Sequence, residues 1–168
     1  MKKVRYNVWE TNSSSSHTVS VRGKRNVDGD YYNCCTQSNR IIKVGLDEYG
    51  WHGDPCDNFQ SKLAYALSMV LNTEYPNFRY YDEDFVINQD TLEKCEGYQI
   101  ILNAIRRHMD VFGILIERKH DYYPYGYIDH QSCEDYDSLQ DFLDDCNVDI
   151  ERFLFDDGVV VWILNDNE

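Results

Sequence analysis

The chain has 168 residues, a length that suits one domain, and 42% of them are hydrophobic, enough for a real core. No apolar run approaches the ~20 residues of a membrane-spanning helix, and Met1-Lys2-Lys3 leads into a polar segment, so the sequence predicts a soluble, unexported protein of the cytoplasm with no membrane contact. A formal net charge of −14 argues against direct binding to nucleic acid.

In chain order, Val4 to Trp9 and Thr18 to Arg22 alternate apolar and polar residues and read as strands. The polar stretch Glu10-Thr-Asn-Ser-Ser-Ser-Ser-His17 between them reads as a long connecting loop. Residues 23–39 read as a loop with a short strand at Tyr31-Tyr32, and residues 40–45 as a strand. Residues 47–55 are turn-rich. Phe59 to Leu71 is a helix with Leu63, Leu67, Val70 and Leu71 at helical spacing, capped by Asp57 or Asn58. Phe85 to Ile87 reads as a short strand, and Thr91 to Asp110 as a second helix weakened by Gly97. Val111 to Glu117 reads as a buried strand with Phe112, Ile114, Leu115 and Ile116 in its core. An aromatic loop from Tyr122 leads into a short extended piece. Ser138 caps a third helix through Cys146, residues 150–155 form a short helix or turn, and Gly158 to Leu164 is a strand whose unbroken apolar run predicts burial on both faces. This order implies one α+β domain over residues 1–168, a mostly antiparallel sheet with about three helices packed on it.

Tyrosine dominates the aromatics, with 14 Tyr against 7 Phe and 3 Trp, so many large side chains keep a polar tip and the core is expected to be thin or wet. Charge is unevenly divided. Residues 1–53 hold 8 Lys/Arg and 5 Asp/Glu, a balance of +3, whereas residues 133–168 hold 1 and 12, a balance of −11. Such a tail either imitates a phosphate backbone for a basic groove on a protein partner or simply keeps the protein in solution. The candidates for a partner-binding face are Asp141, Asp144, Asp145, Asp149, Asp156 and Asp157.

Three polar clusters are candidates for ligand binding. In the first, Glu10, Asn12, Ser13, Ser14, Ser15, Ser16 and His17 offer hydroxyls to an anion and an imidazole that titrates near neutrality; the alternative is a plain solvated turn. In the second, Glu48, Trp51 and His52 lie among glycines, with Trp51 either a lid over an apolar edge or one wall of a ligand slot. In the third, Tyr127, Asp129 and His130 lead a segment whose alternative is a solvent-facing turn; the adjacent carboxylate and imidazole point to opposite faces of an extended chain and form no dyad. Either could meet His17 across the fold. No Gly-rich phosphate cradle, GxSxG elbow, HExxH or paired CxxC is present, so no metal, cofactor or catalytic nucleophile is assigned.

Residues 7–17 (NVWETNSSSSH), 47–51 (DEYGW), 61–65 (SKLAY) and 126–132 (GYIDHQS), with Asn165-Asp166-Asn167 near the end, resemble a family of small uncharacterised phage and prophage proteins. The resemblance spans most of the chain. It implies an intracellular life during phage infection and supplies no activity or catalytic residue. Together with the charge, it leads to the expectation of an acidic binding protein that inhibits or modulates a host system, a defence system among the candidates, through a host protein with a basic surface. The alternative is a small-ligand or nucleotide-handling enzyme, working by hydrolysis or group transfer through the Ser-rich loop, His17 and Asp129/His130.

Six cysteines at 34, 35, 56, 95, 133 and 146 sit in a chain with no export signal, the setting of reduced thiols. Thiol titration of the native protein under denaturant should therefore count six; a stable loss of two or more would contradict free-thiol chemistry.

Overall fold

The computed structural model describes residues 15–21, 35–36, 40–49, 55–75, 89–117, 126–128 and 136–165. The sequence readings at 4–9, 31–32 and 85–87 lie outside them. The architecture is α+β. Strand β1 (Ser15–Val21) pairs antiparallel with β7 (Val159–Asn165), the longest ladder. β3 (Ile41–Gly45) lies between β2 (Cys35–Thr36), antiparallel, and β5 (Gly113–Glu117), parallel. β4 (Glu48–Tyr49) and β6 (Tyr127–Ile128) form a short parallel pair. The helices are α1 (Phe59–Glu74), α2 (Gln89–Leu92), α3 (Glu96–His108), α4 (Leu139–Cys146) and α5 (Ile150–Phe155).

The α1 helix starts where the sequence predicts because Asn58 caps it: its side chain accepts from the Ser61 N–H at 2.9 Å, and Ser61 Oγ in turn accepts from the Asn58 N–H. The apolar stripe at Leu63, Leu67, Val70 and Leu71 is buried, but burial does not stop there. Every residue from Lys62 to Asn72 is buried, because α1 packs against α3, α4, α5, β3 and β6. Two of its polar side chains turn back on the helix: Asn72 Nδ2 donates to the Ser68 carbonyl at 2.7 Å and Thr73 Oγ1 to the Met69 carbonyl at 3.0 Å.

Where one helix was expected over 91–110, two are found. Cys95 is extended (φ −69°, ψ 127°) and begins α3 without a side-chain cap. The acceptor comes from another helix instead: Glu74 Oε1 takes the Gly97 N–H at 3.0 Å. The helices approach so closely here that a Cβ on Gly97 would lie 2.5 Å from Val70 Cγ2. Gly97, read as a weakness in the helix, is the residue that lets α3 start against α1.

Two strands differ from expectation. In β5 only Ile114 is fully buried, while Phe112, just before the strand, is 65% exposed and Leu115 is 42% exposed. The β5 edge facing away from β3 is closed by α3: the Tyr98 hydroxyl accepts from the Ile114 N–H (3.2 Å) and lies 3.3 Å from its carbonyl, and the Arg106 guanidinium donates to the carbonyls of Val111 and Phe112. The apolar run of β7 is buried on one face only, with Val159, Val161 and Ile163 inside and Trp162 exposed, its indole N–H bonded to Ser20 Oγ at 2.9 Å. Among the described residues, β7 has one bridge beyond β1, through which Cys56 and Val161 exchange backbone hydrogen bonds of 2.9 and 3.0 Å. With Val160 half-buried and Trp162 exposed between the buried residues, β7 follows the two-faced pattern of an antiparallel ribbon.

The buried residues form one cluster that includes Leu63, Leu67, Leu102, Val159, Val161 and Ile163. The tyrosines in it are not wet: Tyr65 and Tyr98 are fully buried, and Tyr65 meets Tyr49 edge-on at 5.1 Å and Phe142 at 5.8 Å. Truncating the fully buried Leu67 to Ala should cost about 2–5 kcal/mol in a denaturant melt; a loss under about 1 kcal/mol would be the response of a surface position.

Candidate functional site

The acidic surface is built on α4, α5 and the turn into β7. Ser138 caps α4, its Oγ accepting from the Asp141 N–H at 3.2 Å. Asn147 ends it in the left-handed conformation (φ 53°), which closes the chain back on the Leu143 and Asp144 carbonyls. Leu139, Phe142 and Leu143 point inward, Phe142 meeting Tyr136, Tyr65 and Phe153 edge-on or tilted. With that stripe committed to the core, the 3.6-residue period leaves Gln140, Asp141, Asp144 and Asp145 exposed. Gln140 Nε2 donates to Asp144 Oδ1 at 2.7 Å, and the Tyr136 hydroxyl to Asp145 Oδ2 at 3.2 Å. Asp149 and Asp157 are exposed as well. Asp149 also caps α5, accepting from the Arg152 N–H at 2.7 Å. Among the described residues, no salt bridge holds Asp141, Asp144, Asp149 or Asp157.

Asp156 does not belong to this face, contrary to the sequence reading. It is buried, and its carboxylate accepts from the Gly158 N–H at 2.8 Å and from Arg152 Nε at 3.2 Å. Burial opposes its ionisation, yet those two donors, with Lys62 nearby, hold its pKa below the ordinary 3.8. The Asp156 carbonyl takes a further bond, from the fully buried Nζ of Lys62 at 2.9 Å, and Val159 O lies 3.4 Å from the same Nζ. Burial lowers the Lys62 pKa, opposed by the fields of Asp157, Asp156, Asp57 and Cys56. This constellation ties α1 to the turn between α5 and β7. It also absorbs Arg152, the one Lys/Arg among residues 133–168, so the exposed carboxylates keep no basic residue from their own segment.

Glu151, half-buried, is engaged as well. Arg107 Nε pairs with its carboxylate, and His108 Nε2 lies 3.2 Å from Oε2 with its ring 4.2 Å from that of Phe155. The His108 hydrogen bond lowers the Glu151 pKa most, burial opposes it, and Arg107 lowers it further. The anion sits in the first turn of α5 and the Arg107 guanidinium in the last turn of α3, so both helix dipoles favour the pair.

Of the ligand-binding candidates, Glu10, Asn12, Ser13, Ser14, Trp51, Asp129 and His130 lie outside the described residues, as does the expected approach of His17 to His130. Ser15, Ser16 and His17 do not end a loop as read from the sequence. They open β1, because residues 163–165 of β7 extend far enough to pair with them, His17 opposite Ile163 and Ser15 opposite Asn165. Glu48 and Tyr127 are brought together: they are register partners in the parallel β4–β6 pair, Glu48 exposed and Tyr127 half-buried. Tyr127 N–H donates to the Asp47 carbonyl at 3.1 Å. Gly126 makes this possible. Its φ of +78° suits glycine alone, and a Cβ there would collide with Ser68 Oγ of α1 and lie 2.9 Å from Leu46 Cβ. Nothing in the sequence around Gly126 signals that contact, since Ser68 is 58 positions away.

Comparison of the chain with protein-family models, curated proteins and solved structures finds no match. Function therefore rests on the chemistry of the chain itself. Among the described residues no group of three or more His, Cys, Asp or Glu side chains is placed to hold a metal ion, and no helix is long and apolar enough to cross a membrane. Burial pushes the Cys56 pKa up to about 12, the character of a core side chain rather than a nucleophile.

The two kinds of aspartate should separate by mutation. Asp156→Ala should destabilise the protein by about 1–3 kcal/mol, because it strands a buried N–H and the Arg152 guanidinium, whereas Asp141→Ala should stay within about 0.5. A carboxyl whose folded pKa lies below its unfolded value adds stability above the unfolded value and loses it as pH falls through the folded one. The wild-type protein should therefore lose the Asp156 contribution as pH drops below 3.8, and Asp156→Ala should flatten that part of the acid limb in urea melts at stepped pH.

Proposed function

We propose that this chain is a phage-encoded, non-enzymatic binding protein of the host cytoplasm that inhibits or modulates a host system, a defence system among the candidates, by setting its acidic face against a basic surface of a host protein. The observation that carries this reading is the exposure of Asp141, Asp144, Asp145, Asp149 and Asp157 on a capped, core-anchored segment whose one arginine is spent on Asp156. Carboxylates on short, fixed helices lose little conformational freedom on docking, and a surface of one sign steers an oppositely charged partner and rejects like-charged ones. The face is suited to protein rather than nucleic acid, since it repels phosphates.

Affinity capture from host cells, with mass spectrometry of the retained proteins, should recover a basic partner whose retention falls steeply as salt is raised. Replacing Asp141, Asp144, Asp145, Asp149 and Asp157 together by Asn keeps the α5 cap, because Asn caps as well as Asp, and should abolish capture without loss of fold. Undiminished capture by that variant would refute the proposal.

A second reading, a site for a small polar ligand or nucleotide, draws support from the β4–β6 pair. That pair sets exposed Glu48 beside half-buried Tyr127, a carboxylate and a phenol from two of the sequence clusters. Native mass spectrometry of the purified protein and thermal-shift screening against nucleotides test it. A bound small molecule or a shift lost in Trp51→Ala and His130→Ala supports this reading, and a protein that binds none removes it.

A further inference from the structure

We draw no further inference here: the strongest candidate, the exposed Phe112 ring at the start of β5 with Leu115 farther along the strand, carries nothing because the flanking Arg40 and Arg106 guanidiniums are already held by Asp110 and by the Val111 and Phe112 carbonyls, and nothing in the structure shows what covers it.

Discussion

The burial of α1 on every side is the constraint on which the rest of the structure depends. A helix buried all round satisfies its own backbone, but a buried polar side chain on it costs free energy unless it finds a partner inside the protein. Asn72 and Thr73 do so within the helix, and Lys62 does so by reaching the carbonyls at the end of α5 and the start of β7. Lys62 thereby fixes where the C-terminal segment crosses α1. Its neighbours must also come close, and two glycines allow it: Gly97 brings the start of α3 against Val70 and Glu74, and Gly126 brings β6 against Ser68. Two long-range arrangements, the α3 start and the β4–β6 pair, follow from the absence of a methyl group at those positions.

Charge in this chain divides between structural and surface roles, and the formal balance of −11 in the last 36 residues conceals the division. Glu151 joins α3 to α5, Asp149 caps α5 and Asp156 closes the turn into β7, each meeting N–H groups or guanidiniums that a helix end or turn leaves unpaired. The surface carboxylates of α4 are a by-product of packing in the sense that Leu139, Phe142 and Leu143 determine which face looks outward. What is particular to this protein is that aspartate occupies most of that outward face.

The small sheets obey the same need to pair every buried backbone group. At Ile114 a tyrosine hydroxyl stands in for a neighbouring strand, and beside Phe112 an arginine does. Side chains of α3 thus finish the edge of β5.

Much of this was legible in the sequence, wherever the signal was local. The α1, α4 and β7 elements and the caps Asn58 and Ser138 follow from periodicity and from side chains that bond within three residues of themselves. The inward residues Leu63, Leu67, Val70 and Leu71 of α1 follow from the same periodicity. Only the tertiary structure decided which groups meet across the chain. It took Asp156 out of the acidic face, drew Ser15, Ser16 and His17 into a strand, exposed Phe112 and Trp162, split the second helix at Cys95 and set Glu48 beside Tyr127. The physical reason is common to all of them. Each outcome depends on a partner far off in sequence, such as Lys62 of α1 over the turn that holds Asp156, the end of β7, or Glu74, and a residue's own neighbours carry no record of which distant backbone or charge will be waiting for it.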